Sequence, residues 1–199
     1  MRVHPRRAAR WLLFGSLATA AGAALAAAPP DDWLARSRAL ADELTAELKA
    51  ELGAALQTGG PVAAIEVCRT RAPMIAAKLS NESGAVVGRT ALRLRNPANA
   101  PDEVSRALLQ RFAADMPGGA GAPGAAPPEA ALELRTADGV ERRYLRAIAL
   151  QPPCVACHGR VLAPEVREAL ANAYPQDAAT GFDPGQLRGA VVVRWRAEE

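Results

Sequence analysis

The run PPCVACHG at residues 152–159 constrains this chain more than any other feature, because it places two cysteines and a histidine within five residues. The two prolines before the first cysteine keep the approach extended. The glycine after the histidine allows the backbone to turn away. Any fold must therefore bring the side chains of Cys154, Cys157 and His158 to one place.

The N-terminal 26 residues have the order of a secretory signal peptide. A basic segment is followed by an uncharged apolar run and by small residues, where Ala24-Leu25-Ala26 offers a cleavage site. We expect a periplasmic protein whose signal, residues 1–26, is cleaved; uncleaved, it would tether the protein to the membrane. Cleavage removes four arginines and no acid, so the formal charge falls from +3 to −1. Charge therefore gives no case for a nucleic-acid partner.

Residues 31–196 predict one α+β domain, in which helices lead into a small, mostly antiparallel sheet. Leucines recur every four residues from Leu40 to Leu56. This spacing predicts a long N-terminal helix that begins near Asp31 and ends at Gly59-Gly60. Further helices are predicted to begin at Pro61, Pro73, Pro101 and Pro164.

Three segments are typical of strands. The stretch GAVVGRTALRLRNP, in which Leu92 and Leu94 alternate with arginines, predicts a strand with one buried face that Asn96-Pro97 closes. The segments ALELRT and VERRYLRAIAL flank a turn at residues 137–139 and predict a hairpin. LRGAVVVRWR predicts the last strand, and the Ala/Gly/Pro-rich residues 117–128 predict a loop within the domain.

Three chemistries use a motif of this kind. Covalent haem needs two thiols for its vinyl groups and an imidazole for its iron, which Cys-x-x-Cys-His supplies in one segment. A zinc site would combine Cys68, Cys154, Cys157 and His158, but adjacent residues 157 and 158 are poorly spaced for one tetrahedral ion. A thiol–disulfide oxidoreductase is the alternative, although this pair comes late in the chain and outside a βαβ unit. We favour one covalent haem c, attached at Cys154 and Cys157, with His158 as proximal ligand.

The ligand on the other side of the iron is not fixed by spacing. His158 is the only histidine after the leader, so a second histidine from the same chain is excluded. The candidates are Cys68, Met74, Met116, a lysine or solvent.

Arginines near the predicted strand are candidates for a second role. Arg89, Arg93 and Arg95 would suit the haem propionates, because guanidinium groups form charge-assisted pairs with carboxylates. A solvated strand face explains the same alternation without a cofactor.

The motifs AIEVCRTRAPMIA, GRTALRLRNPANAPD, CVACHG, YPQDAATGF and LRGAVVV occur in this order. The series resembles a family of single-haem c-type domains with a PAS-like fold, found alone in the periplasm or ahead of histidine kinases. The resemblance runs from about Leu34 to Arg194, and departs from the family at Ala91, Val104 and the insertion before the hairpin. It implies that Cys68, in Cys-Arg-x-x-Ala-Pro, binds the iron opposite the histidine, ahead of Met74.

A thiolate opposite an imidazole would favour ferric iron and a low reduction potential. If reduction releases Cys68, the open position would admit a diatomic gas. We therefore expect electron transfer, or redox or gas sensing, with a redox or sensor partner that the sequence does not name. No acid–base constellation in the sequence indicates an enzyme.

Overall fold

The computed structural model describes Met1 and residues 32–116, 126–137 and 139–197. The predicted signal at residues 1–26 lies outside this part of the chain, and so does most of the predicted loop at 117–128. All statements below concern the residues described.

The helices predicted for residues 31–78 follow one another without loops between them. Helix α1, Trp33–Glu66, consists of two helices joined across a kink at Gly60, where φ is 67° and ψ is −164°, so the break predicted before Pro61 is present. A single π-helical turn, Val67–Arg71, then leads into α2, Ala72–Ser83. Neither this segment nor any other described helix is long and apolar enough to cross a membrane.

Four antiparallel strands form the sheet, in the order β1-β4-β3-β2. The strands are β1 (Val86–Thr90), β2 (Glu129–Thr136), β3 (Gly139–Ala149) and β4 (Leu187–Ala197). The remaining helices are α3 (Glu103–Asp115), the single turn α4 (Val155–His158) and α5 (Pro164–Ala173). The prediction of an α+β domain with a long N-terminal helix, a hairpin and a small antiparallel sheet is confirmed.

The strand predicted in the stretch GAVVGRTALRLRNP is present at Val86–Thr90, but its predicted continuation over residues 92–95 is wrong. The first strand ends at Thr90, and the residues that follow have irregular backbone. This segment bonds to a loop instead of the sheet: Leu94 O accepts from Ala178 N at 2.7 Å, and Arg93 Nε donates to Ala178 O at 3.0 Å. The alternation of leucine and arginine therefore reflects contacts on two sides of a loop.

Helices cover both faces of the sheet. Because successive strand residues point to opposite faces, Tyr144 packs under α1 and α2 while Leu145 packs under α3. The face under α1 and α2 buries Leu44, Leu79, Val191 and Val193; the face under α3 buries Leu109, Phe112 and Ala190.

The leucine stripe of α1 has two roles. Leu40, Leu44 and Leu48 pack against the sheet. Leu52 and Leu56 extend beyond this core and line a cavity. A helix that stopped at the edge of the sheet would leave that cavity without its apolar wall.

Two glycines in these helices predict opposite effects of the same substitution. Gly84 ends α2 with φ 77° and ψ 0°, and its N–H donates to Ser80 O. Gly53 lies inside α1, and a Cβ there would meet nothing within 4 Å. Gly84→Ala should lower the free energy of unfolding by about 1 kcal/mol, because a Cβ disfavours the left-handed region. Gly53→Ala should raise it by about 0.5 kcal/mol.

Urea denaturation of both variants beside the unchanged protein measures these effects. Equal shifts of the two variants in the same direction would contradict this description of the helix ends.

Candidate functional site

A cavity of about 180 Å³, here called the central cavity, lies between the second half of α1, the β1–β4 side of the sheet and the segment 152–158. Its lining includes both cysteines and the histidine of that segment. It also includes Cys68, Arg89 and Arg95, which come from two other parts of the chain. The structure thus brings together six of the nine candidate residues named above.

The two cysteines of the motif are partly buried thiols. A short 3₁₀ turn, Pro152–Cys154, is followed directly by α4, so residues 152–158 form one compact corner. Cys154 packs against the cluster of Leu150, Ala179 and Phe182. Burial raises the pKa of both thiols. Reactive thiols in disulfide exchange have a lowered pKa, so this environment does not suit that chemistry.

His158 is held as a neutral imidazole. Its Nδ1 lies 2.6 Å from Ala179 O, and a carbonyl oxygen only accepts, so the proton is on Nδ1. Burial, followed by the charges of Arg188 and Arg95, lowers the pKa of His158 to about 2. Nε2 therefore keeps its lone pair, which is the form of histidine that binds metals.

A buried ion pair fixes the carbonyl that His158 bonds. Arg95 Nη2 lies 2.8 Å from Asp177 Oδ2 and donates to Cys157 O at 2.6 Å. The other oxygen of the Asp177 carboxylate accepts from Ala179 N at 2.8 Å. Asp177 thereby holds both the arginine behind the motif and the residue whose carbonyl orients the imidazole.

Cys68 reaches the central cavity from the π-helical turn. The turn holds one more residue than an α-helical turn, and such turns are frequent at functional sites. Cys68 is partly buried and lines the cavity. Met74, the alternative in the same helical segment, is 57% exposed and is not part of the lining. Met116 packs at the end of α3 and lines a different cavity.

The three candidate arginines have different positions. Arg89 lines the central cavity, and burial lowers its pKa. Arg95 lines it too, but its guanidinium is engaged by Asp177. Arg93 does not line it; its guanidinium donates to Ala178 O and Thr180 O and stacks 4.2 Å from the Phe182 ring.

Sequence reasoning missed two functional residues. Arg188 on β4 lines the cavity, and its Nε lies 3.4 Å from His158 Nε2; burial lowers the pKa of Arg188 to about 10. The strand pattern LRGAVVVRWR gives no signal that this arginine faces a cavity. Asp177 lies in the loop after α5. The bond from Ala179 N back to its side chain is a local turn signal, but nothing local indicates Arg95, 82 positions away.

The donor side chains lie around the central cavity and do not converge on one point. Among the residues described, no three His, Cys, Asp or Glu side chains are close enough to hold a metal ion together. The apolar wall from α1, the two thiols, the neutral imidazole and the arginines therefore give the cavity apolar surface, sulfur and nitrogen donors and positive charge together.

Two comparisons relate the chain to known proteins. A family model described as Tll0287-like matches residues 24–195. A solved structure, that of the cyanobacterial heme protein Tll0287, matches with a TM-score of 0.58 at 26% sequence identity, over 83% of this chain and 95% of that chain. No curated protein matches the chain.

Asp177→Asn should lower the free energy of unfolding by about 3 kcal/mol, because Arg95 would keep a buried charge without its carboxylate. The two side chains are only 5% and 10% exposed. Asp183→Asn is the matched control, since Asp183 pairs with Arg160 at the surface. We expect urea denaturation to show no measurable change for the control. A loss as small for Asp177→Asn would show that the pair does not hold the site.

Proposed function

We propose a function from one premise: the chain belongs to the Tll0287-like family, as the resemblance of its motifs predicted. Our proposal is that it binds one covalent haem in the central cavity and acts as an exported redox protein. The observation that carries it is that both motif cysteines, the neutral histidine and Cys68 line the same cavity. The TM-score match to a protein that is itself described as a heme protein supports it.

Cys154 and Cys157 would attach the haem through its vinyl groups. Attachment requires free thiols that lie on one wall, and both cysteines are free and lie in one corner of the cavity. His158 would bind the iron through Nε2, because Nδ1 is occupied by Ala179 O. The guanidinium groups of Arg188 and Arg95 would have to move aside, since Arg188 Nε and Arg95 Nη1 each lie 3.4 Å from Nε2.

Cys68 is the proposed ligand opposite His158. It lines the cavity, whereas Met74 is exposed outside it. A haem with thiolate and imidazole ligands supplies one-electron chemistry at a low reduction potential. Electron transfer to a partner protein is therefore the first proposed role.

Arginines would balance the propionates. Arg89 and Arg188 line the cavity without a carboxylate partner among the described residues, whereas Arg95 is already paired with Asp177. A propionate carboxylate would form charge-assisted hydrogen bonds with these guanidinium groups and so offset the cost of burying their charge. Arg93 contributes to the loop around Phe182 in this proposal, not to the propionates.

Redox or gas sensing is a second proposed role, and the π-helical turn favours it. That turn holds Cys68 through a less regular set of backbone bonds than an α-helix provides. Release of the thiol on reduction would then open one face of the iron to a diatomic gas. Carbon monoxide added to the reduced protein separates the roles: binding supports sensing, and an unchanged spectrum supports electron transfer.

Export to the periplasm and a PAS-like fold belong to the same proposal. The leader pattern at residues 1–26 supports export, and attachment of haem c takes place outside the cytoplasm. The four-stranded antiparallel sheet, with a long helix packed on one face, supports a PAS-like arrangement. The thiol–disulfide alternative is disfavoured because burial raises the pKa of Cys154 and Cys157.

Covalent attachment predicts that haem stays with the polypeptide after denaturation. The protein should be produced with the haem c maturation machinery and its haem followed by mass spectrometry. Cys154→Ala and Cys157→Ala should each leave at most one thioether bond, and the double variant none. A protein that carries no haem under these conditions would overturn the proposal.

Cys68→Ala should change the ferric absorption spectrum, because the iron loses a thiolate ligand. Met74→Ala is the matched control, because Met74 lies in the first turn of α2, three residues beyond the π-helical turn, and it should leave the spectrum unchanged. A spectrum that responds to Met74→Ala and not to Cys68→Ala would contradict the proposed ligand.

A further inference from the structure

A second cavity, here called the edge groove, lies beside β1, which is an edge strand of the sheet. Its volume is about 440 Å³. One wall is formed by small side chains of α2, namely Ala72, Ala76 and Ala77. The rest of the lining comes from β1, residues 96–102, and Arg194 of β4. None of the motif cysteines or His158 lines it.

Arg194 is the unusual residue of the edge groove. It lies opposite Arg143 in the β3–β4 pairing, so two arginines are cross-strand neighbours. Arg143 is buried and is paired with Asp102 and Glu141. The Nε of Arg194 is enclosed, yet no hydrogen-bond acceptor lies within reach among the described residues. Buried donors of this kind usually have a hydrogen-bond partner, such as an ordered water or a bound ligand.

The backbone of β1 adds a second donor to the groove. Val87 N donates to Ser80 Oγ at 2.9 Å and Ala91 N donates to Asn99 O at 3.3 Å, so both point away from β4. Alternate residues of an antiparallel strand face the same edge, so Arg89 N–H also points outwards. No described group outside the sheet accepts from it.

The unpaired charge in the edge groove is positive. Asp102 is its one carboxylate among the described lining residues, and it already accepts from Arg143 Nη1 at 2.7 Å and from Ser105 N at 2.8 Å. Arg194 supplies the positive charge of this lining; Arg89, the other arginine there, also lines the central cavity. The first turn of α3, which begins at Glu103, adds the positive end of a helix dipole.

We propose that the edge groove binds a small organic carboxylate with a short apolar body. The carboxylate would pair with Arg194, whose planar guanidinium suits two parallel hydrogen bonds. The apolar body would lie against the alanines of α2, which leave room that larger side chains would fill. The site is separate from the haem proposal, because its donors come from Arg194 and the β1 edge.

Binding is tested by NMR chemical-shift titration of the full-length protein with three probes. Butyrate carries the carboxylate and an apolar body, butylamine carries the same body with a positive charge, and inorganic phosphate is an oxyanion without the body. We expect saturable shifts around β1 and α2 with butyrate, weaker shifts with phosphate, and none with butylamine. Equal binding of butyrate and butylamine, or no saturation with butyrate, would overturn the proposal.

Three variants distinguish binding in the edge groove from a general attraction of carboxylates to positive charge on the protein. Arg194→Gln should weaken butyrate binding by about tenfold or more, because a charge-assisted pair is lost. Arg196→Gln is the matched control, since Arg196 is exposed two residues further along β4. Ala77→Phe keeps every charge but fills the groove from an exposed helix position, and it should also weaken binding. Equal effects of the two arginine variants, or no effect of Ala77→Phe, would contradict the site. Melting temperatures without ligand show whether each variant is folded.

Discussion

The buried ion pair between Arg95 and Asp177 is the interaction on which the rest of the site depends. It joins the segment after β1 to the loop after α5 and bonds to the carbonyl of Cys157. Through Ala179 it also fixes the proton of His158 on Nδ1. Buried charges are costly unless they are paired and hydrogen-bonded, and here each partner makes further bonds. The pair stabilises one arrangement of the motif, in which Nε2 faces the guanidinium groups of Arg95 and Arg188 at 3.4 Å.

The helices supply the apolar wall of the central cavity and the position of Cys68, which the ion pair does not determine. Leu40, Leu44 and Leu48 of α1 pack against the sheet, and Leu52 and Leu56 of the same stripe line the central cavity. The kink at Gly60 and the π-helical turn then carry the chain round so that Cys68 enters the same cavity. An aromatic content of only 4% leaves few large side chains to fill such a space. A flat cofactor in the cavity would bury the apolar wall that the chain itself leaves open.

Local patterns predicted local structure well. The leucine spacing, the hairpin around residues 137–139 and the helix start near Pro101 each depend on neighbours within a few residues, and each appears in the structure. The strand predicted at Leu92 and Leu94 failed because the partners of that segment, residues 177–180, are remote in sequence. Asp177 and Arg188 were missed for the same reason: their roles arise only when distant segments meet. The motif at 154–158 was recognisable because its residues are adjacent.

We propose that Cys68 and His158 bind the iron of a covalent haem from opposite sides. Iron K-edge X-ray absorption on the oxidised protein tests this most directly. We expect one sulfur scatterer in the iron coordination shell, together with nitrogen, and the loss of that sulfur in Cys68→Ala. A coordination shell without sulfur in the unchanged protein, or one whose sulfur survives Cys68→Ala, would contradict it.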